Sequence, residues 1–497
     1  MCMKKKIVGI VSAIVVLAAL LTAGILMIIR SRNLEETGNL LGVSWYNEEN
    51  TEFTITTAQE LLEFARLSDF YTFENQTIKL GADIVLNEGN ALDWKEKAPS
   101  IRWSPISGFA GTFDGQGHSI SGVYGKSYES PMALFTATEN TCTIRDLKLI
   151  NSYFETGGNS GTASFSSSGN GNFIKLYSDA IIQCKGGVCG GIVGTVKMQA
   201  TLEECWFAGT INQTGRKMGG MIAVIEAGRV NMKNCLFSGE LHTTQSNFSW
   251  TATDGARAGG LCGKIKETAG LLVTDCLSTG VVTSVHNTYC GSVLGYSVNG
   301  AQISVDNTYD GGTSSSGKGY GSVASTGYPV PLNREELIGI KAYQWTALDF
   351  DNYWVAVDGD TPILKHFADT SLDLTGVEKA YDMDWYSESE YTFTLTNLKQ
   401  LYGLALLAAT NDFEDVTIEL GADIVVNEGK RENWMKMPTI HLKMFGIQLE
   451  HNYAHLQELS MGKDIPSVVS TCAIINQTVQ TIKVYLAVHQ SIVRFEI

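Results

Sequence analysis

The sequence predicts a mainly β protein: a right-handed parallel β-helix with a short capping helix at its N-terminal end, preceded by a single transmembrane helix. Three observations lead to this prediction. The 497 residues include 51 Gly and only 8 Pro, glycine-marked segments recur about every 30 to 40 residues, and an uncharged apolar run stands near the N-terminus. Glycine turns between short strands are typical of β structure, and regular recurrence is typical of a solenoid.

The N-terminal apolar run predicts a membrane anchor. It covers residues 7–29, follows three lysines and ends before Arg30. A helix of about 20 apolar residues crosses a bilayer. We therefore expect residues 1–32 to form a cytoplasmic N-terminus and a single-pass anchor, residues 33–42 a stalk, and the rest to lie outside the cell. The alternative is a long signal peptide whose cleavage would release a secreted protein.

Residues 43–370 are predicted to form one β-helix unit that opens with a helix. The segment Thr57-Ala-Gln-Glu60 has the spacing of a capping box, and Leu61, Phe64 and Ala65 follow it on one helical face. A bare solenoid end would expose unpaired strand edges and core side chains. A helix at this position would cover the first coil.

Short repeats then mark the coils. Four segments have the form Gly-Gly-apolar-apolar-Gly or a close variant, and a second mark follows each of them. In such coils small residues turn corners and apolar side chains stack inward. The predicted structural positions are Gly190, Gly191, Gly194, Gly219, Gly220, Gly259, Gly260, Gly263, Gly291 and Gly295 in the first mark, and Cys205, Cys235, Cys276 and Asn307, taken as one position, in the second.

The glycine segments resemble the GLUG motif, a repeat of bacterial surface and secreted proteins, over about residues 187–312. Parts of residues 53–122 resemble the leader that opens β-helices in such proteins, and residues 340–367 resemble their closing segment. The resemblance implies a β-helix at a bacterial surface, so that residues 7–29 would bind the bacterial membrane. It implies little chemistry, because no activity is general to the family.

A second unit begins at an offset of 340 in sequence number, where Gly421-Ala-Asp-Ile424 repeats Gly81-Ala-Asp-Ile84. Residues 371–434 are therefore predicted to start a second, truncated unit. The match stops after Trp434. Synonymous codons exist with which residues 457–470, read in a shifted frame, encode Gly-Thr-Phe-Asp-Gly-Gln-Gly-His, as residues 111–118 read. Residues 435–497 are thus predicted to be an out-of-frame tail without a native fold.

The sequence offers only weak catalytic candidates, Asp114 and His118. They could act as acid and base in a polysaccharide hydrolase, but ordinary turn chemistry explains them as well, and we predict no catalytic residue. The acidic residues around Asp349 could bind calcium or form a capping turn, and we favour the turn. Neither a paired metal motif nor a cofactor motif stands out, so we expect no metal and no cofactor.

The sequence also predicts roles for the cysteines and for two polar segments. Cys184 and Cys189 are the candidate disulfide, whereas the cysteines of the second mark are expected to stack as small buried residues. Two Gly/Ser-rich segments, 157–171 and 311–327, are expected to project as exposed loops.

The net charge of −16 argues against nucleic acid as a partner. We expect an extracytoplasmic cell-surface protein that serves in adhesion or ligand binding without catalysis, with a host or cell-wall glycan or a protein as ligand. One alternative is a carbohydrate-active β-helix enzyme, a hydrolase or lyase. The other is a structural spacer whose functional domain a frameshift has removed.

Overall fold

The computed structural model describes residues 43–424, apart from 44, 48, 159–160, 215–216, 244–255, 286, 412, 414 and 423, together with 483–488 and 491–496. The predicted anchor, the stalk and most of the predicted out-of-frame tail lie outside these residues. Within the described part of the chain, no helix has the length and apolar character to cross a membrane.

The chain is mainly β and forms long parallel sheets, as the sequence predicts. Strands of successive coils pair in parallel: Val188 lies beside Lys217, and Val193 beside Ile222, so the interval from one partner to the other makes up one coil. The chain visits four sheets in turn before it returns to the first, which is the arrangement of a β-solenoid. The right-handed sense stays a prediction.

The four sheets are named here by their order around one coil. The long sheet contains Glu52–Ile55, Thr77–Leu80, Ile84–Val85, Thr112–Asp114, Ser119–Ser121, Thr143–Ile150, Gly171–Ser178, Gln199–Glu203, Trp206–Phe207, Gly228–Lys233, Leu236–Phe237, Ala269–Thr274, Leu277–Ser278, Gln302–Asp306, Tyr309–Asp310 and Val330–Pro331. The second sheet contains Tyr124–Ser127, Tyr153–Thr156, Ile181–Cys184, Thr210–Gln213, Glu240–Thr243, Val281–Thr283 and Thr313–Ser314. The third contains Gly161–Thr162, Val188–Gly190, Lys217–Gly219, Arg257–Gly259 and Cys290–Gly291. The fourth contains Phe135–Thr138, Ser166–Gly169, Val193–Val196, Ile222–Ile225, Cys262–Ile265, Leu294–Ser297 and Tyr320–Ser322.

The core lies inside the stack, where equivalent residues of successive coils form columns. Alternation along each strand sends every second side chain inward, and the parallel register places those side chains above one another. One fully buried column of the long sheet consists of Ile144, Phe173, Leu202, Met232, Val273 and Val305. Inside the stack, each coil buries its apolar side chains against its neighbours, so this part of the core is stabilised by stacking.

The predicted capping helix is present. Helix α1 spans Ala58–Leu67, and its N-cap Thr57 forms a capping box with Glu60. The three apolar residues expected on its inner face are buried, and the Phe64 ring contacts the rings of Phe109 and Phe113 in the following coil. The helix therefore covers the apolar interior at the first coil.

The repeated glycines lie where adjacent coils approach too closely for a side chain. Gly190, Gly219, Gly259 and Gly291 are in register in the third sheet. At the neighbouring Gly191, an added Cβ would overlap the carbonyl oxygen of Gly220 and the Phe207 ring. The motif is thus a steric requirement of the stack.

The cysteine position needs one correction. Cys205, Cys235 and Cys276 are buried and in register, but the registry of Leu277 with Tyr309 places Thr308, and not Asn307, next in their column. Asn307 lies one residue earlier, next to Asp275. The prediction that Asn307 shares the cysteine position is therefore wrong by one residue, because the glycine that ends the mark corresponds to Gly312 and not to Gly311.

The two Gly/Ser-rich segments are not projecting loops, so this prediction is wrong. Segment 157–171 supplies strands of the third and fourth sheets, and segment 311–327 supplies strands of the second and fourth. Ser164 is fully buried, and the Ser178 hydroxyl donates to Ser164 Oγ at 2.8 Å. Small hydroxyl side chains fit inside a coil when they find hydrogen-bond partners.

The closing segment, residues 340–367, lies along the side of the stack. It contains helix α2 (Ile340–Trp345) and an antiparallel hairpin of Trp354–Val357 with Asp360–Leu364. Trp354 and Leu364 are buried in an apolar cluster with Leu236, Leu277 and Tyr309. These last three belong to an outward-facing column of the long sheet, the outer apolar column, which consists of Tyr177, Trp206, Leu236, Leu277 and Tyr309.

The second unit starts with the same elements as the first. The strands Thr392–Leu395 and Thr417–Leu420 pair in parallel, as Glu52–Ile55 and Thr77–Leu80 do, and helix α3 spans Leu398–Leu407. All three stand at the same offset from their counterparts as the repeated sequence does. The described part of the tail is an antiparallel hairpin, Lys483–Val488 with Ser491–Glu496. The out-of-frame origin of the tail stays a prediction.

Candidate functional site

One corner of the solenoid carries polar residues in a left-handed backbone conformation, coil after coil. The registers on either side place these residues above one another, and their φ angles lie between 39° and 57°. We call this set the corner column. It consists of Asp146, Lys175, Glu204, Asn234, Asp275 and Asn307.

The left-handed conformation suits Asn and Asp, whose short polar side chains tolerate it, but not Lys or Glu. Lys175 and Glu204 therefore hold their positions at a conformational cost, and their charges are a reason to look for function here. Lys175 Nζ lies 3.9 Å from Glu204 Oε1. Sequence reasoning missed this column, although Asn234 and Asp275 each stand immediately before the cysteine of the second mark.

A shallow groove of about 360 Å³ opens beside the first members of this column. Its walls combine both charges with one apolar side chain. Asp114 and Gln116 come from one coil, Arg145 and Asp146 from the next, and Ile174 and Lys175 from the third. Because three successive coils contribute to the groove, its shape depends on the stacking and not on a mobile loop.

Within the groove, Asp114 is bound tightly. Its Oδ2 accepts hydrogen bonds from Arg145 Nη2 at 2.7 Å and Nε at 3.0 Å, and its Oδ1 accepts one from the Gln116 amide at 3.0 Å. Burial alone would raise the pKa of Asp114, but these bonds outweigh burial and hold the pKa below its usual value. A carboxylate held ionised in this way is a poor proton donor.

His118 does not share a site with Asp114. Its Nδ1 lies 3.3 Å from Asp83 Oδ1, which also accepts the Ser119 amide at 2.7 Å. Gln116 and Gly117 have positive φ angles, so the segment is a tight turn. The two weak catalytic candidates are thus separate turn and ion-pair residues.

The closing segment brings two more side chains to the rim. His366 Nε2 lies 2.7 Å from Asp146 Oδ1. The Phe367 ring contacts Tyr177 and Trp206, whose own rings are 4.9 Å apart and nearly perpendicular. Tyr177 and Trp206 are the half-exposed end of the outer apolar column. Charged and aromatic groups therefore meet at the rim of the groove.

Glu204 has different electrostatics from Asp114. Its side chain is only 10% exposed, and burial raises its pKa, although Lys175 and His366 act in the opposite direction. A carboxyl group with a raised pKa near a groove is a common feature of functional sites.

Another buried carboxyl group lies inside the stack, far along the chain from the groove residues. Asp310 follows Ser278 in an inward-facing column of the long sheet. Its Oδ2 accepts from Ser292 Oγ at 2.7 Å, and burial raises its pKa to about 6.

The remaining candidates have structural roles in this arrangement. A disulfide joins Cys184 and Cys189, while Cys205, Cys235 and Cys276 are buried free thiols. Asp349 Oδ1 accepts the amides of Asp351 and Asn352 and so forms a turn. Across the described ranges, no group of three or more His, Cys, Asp or Glu side chains could hold a metal ion.

Comparisons with known proteins add little. No family model matches the chain, and no curated protein matches it. A crystal structure of a "putative immunoglobulin A1 protease from Bacteroides ovatus" matches with a TM-score of 0.44 and 14% sequence identity, over 65% of this chain and 94% of that one.

Proposed function

We propose that the protein is an extracytoplasmic β-helix that binds a ligand, a host or cell-wall glycan or a protein, without transforming it. The groove at residues 114–175 is the binding site. The observation that carries this proposal is a rigid groove of mixed charge, built by three coils, with the rings of Tyr177 and Trp206 beside it. Such combinations orient polar ligands through hydrogen bonds while rings supply apolar contact area.

The state of Asp114 supports binding over hydrolysis. A glycosidase needs two carboxyl groups with different protonation states, one of them able to donate a proton. Asp114 is held ionised by Arg145, and His118 pairs with Asp83 instead. Asp114 and His118 are therefore better suited to recognition than to proton donation.

We also propose a cell-surface location. Residues 7–29 would anchor the chain in the bacterial membrane, or would be cleaved as a signal, and the β-helix would belong to the GLUG-motif type with a right-handed sense. The Cys184–Cys189 disulfide supports an oxidising environment. Nucleic acid is not proposed as a partner, because the net charge is −16.

A glycan array and a protein pull-down from host extract test the binding function. We expect wild-type protein to bind a defined set of glycans or proteins, and Trp206→Ala and Lys175→Asn to weaken that binding at least about tenfold, equivalent to about 1.4 kcal/mol. Lys197→Asn is the matched control, because Lys197 is exposed and lies outside the groove. Equal binding by all four proteins would reject the groove as the site.

The pKa of Glu204 favours one competing function, a carbohydrate-active enzyme. A general acid needs a carboxyl group whose pKa is raised, as burial does at Glu204. In that case, wild-type protein would release oligosaccharides from a polysaccharide and Glu204→Gln would not. Binding without product release by wild-type protein would exclude this function for the polysaccharides tested.

A further inference from the structure

Three of the changes between the first unit and the second, in helix α3 and just after it, lie on one face. Positions 402, 406 and 409 are Tyr402, Leu406 and Ala409, whereas the equivalent positions of the first unit are Leu62, Arg66 and Asp69. Arg66 and Asp69 are exposed. Leu406 and Ala409 instead pack against the apolar cluster formed by the end of the first unit.

Contacts from three directions fix this face in place. The Tyr402 ring lies 5.4 Å from the Trp345 ring in helix α2 of the closing segment. The Tyr328 amide donates to the Ala409 carbonyl at 3.2 Å. Gly403 is buried where a Cβ would overlap the Asp382 carbonyl oxygen.

Gly403 stands at the position that Glu63 has in the first unit. The chain that connects the two units explains this difference. In the first unit, Glu63 accepts a hydrogen bond from Trp45 Nε1 at 3.0 Å. In the second unit, the equivalent Trp385 Nε1 donates to the Asp382 carbonyl at 2.9 Å, so the connecting chain takes the place of the missing carboxylate. The second helix is therefore adapted to chain that arrives from a preceding unit.

The connecting segment between the units is itself tied to the first unit. Lys379 Nζ donates to the carbonyls of Tyr343 and Thr346 at 2.8 and 3.0 Å and lies 3.7 Å from the centre of the Tyr343 ring. The Ala380 amide donates to the Gln344 carbonyl at 2.9 Å, and the Asp382 amide donates to the Lys399 carbonyl at 2.9 Å. A segment bonded on both sides does not act as a flexible linker.

We propose that residues 402, 403, 406 and 409 form a docking face for the end of the preceding unit, and that the two units of this chain form one rigid tandem array. The partner of this face is the closing segment and the last coil of the first unit. In α1 and just after it, the exposed Arg66 and Asp69 occupy two of these positions, so α1 does not carry the same apolar face. This inference is independent of what the groove binds.

Hydrogen exchange on the full-length protein tests the junction. We expect slow exchange at the amides of Tyr328, Ala380 and Asp382 in wild-type protein. The double variant Leu406→Arg/Ala409→Asp, which installs the first unit's residues, should speed exchange at these amides at least about tenfold while the strand Thr392–Leu395 keeps its protection. The control Asn397→Thr also installs a first-unit residue, but at the exposed N-cap, and should change nothing.

Two results would overturn the proposal: fast exchange at these amides in wild-type protein, or unchanged exchange in the double variant. If the strand Thr392–Leu395 also loses protection, the variant has unfolded the second unit. In that event the variant Trp345→Ala tests the docking face, since it changes no residue of the second unit. Faster exchange at Ala380 and Asp382 in this variant supports the docking face, and unchanged exchange rejects it.

Discussion

Replacing Asp310 by asparagine tests how much one buried carboxyl group destabilises the stack. Asp310 Oδ1 accepts the Gly312 amide at 3.2 Å and Oδ2 accepts the Ser292 hydroxyl at 2.7 Å. An asparagine can keep both contacts. Its Oδ1 would still accept from Gly312, and its Nδ2 would donate to Ser292 Oγ, whose own proton can turn to the Lys318 carbonyl, already 3.2 Å away.

The size of the effect follows from the pKa of Asp310, which burial raises from 3.8 to about 6. The folded protein therefore keeps this proton up to about pH 6, whereas the unfolded chain loses it near pH 4. Stability contributed by this group is fully present below about pH 4, falls as pH rises from about 4 to 6, and stays lower above that. The total change is about 3 kcal/mol.

Thermal unfolding of wild-type and Asp310→Asn protein between pH 3.5 and 8 measures this effect, and Asp306→Asn, an exposed change on the same coil, is the control. We expect Asp310→Asn to be more stable than wild type by up to about 3 kcal/mol at pH 7.5 and equal to it near pH 3.5. A destabilised variant at pH 7.5, or a difference that does not vary with pH, would refute the reasoning.

Three further predictions concern the corner column, the glycines and the thiols. At position 175 the backbone is left-handed, which asparagine tolerates better than lysine. Lys175→Asn should therefore raise the free energy of unfolding by about 1 kcal/mol while it weakens ligand binding; a lower melting temperature would contradict this. Gly191→Ala should lower the free energy of unfolding by at least about 2 kcal/mol, because the added Cβ would overlap the Gly220 carbonyl. At Gly270 the nearest atoms lie at least 3.6 Å from an added Cβ, so Gly270→Ala should lower it by less than about 1 kcal/mol in the same thermal melts. The six buried free thiols among the described residues should resist a thiol reagent at pH 8 until denaturant is added. The reason is that burial keeps the reagent out and raises the pKa of Cys142 to about 11 and of Cys262 to about 12. Labelling of either of these two cysteines in native protein would contradict this.

Much of the fold could be predicted from the sequence because its signals are local or periodic. The capping box of Thr57 and Glu60 lies within one turn of helix, and the glycine pairs recur at the spacing of one coil. The constant offset between the two units locates the second helix and its strands as well. These patterns need no knowledge of which residues meet across the molecule.

The candidate site was beyond prediction because the chain assembles it from distant parts. Asp114, Asp146 and Lys175 meet only through coil stacking, and His366 arrives from the closing segment, which follows the last coil in the sequence. The one-residue error at Asn307 has a related cause. The segment Asn-Thr-Tyr-Asp-Gly resembles the other second marks when Asn307 is aligned with their cysteines. The strand pairing instead aligns the next residue with the cysteines.

The outer apolar column stays bare while the ribosome makes the coils, because the segment that covers it is synthesised last. Leu236, Leu277 and Tyr309 would form an apolar strip on an almost finished stack until residues 340–367 arrive. Such strips on incomplete chains promote association with other chains. A chain cut before residue 340 could therefore stack every coil and still aggregate. A newly synthesised unit loses this tendency only when the closing segment covers the strip.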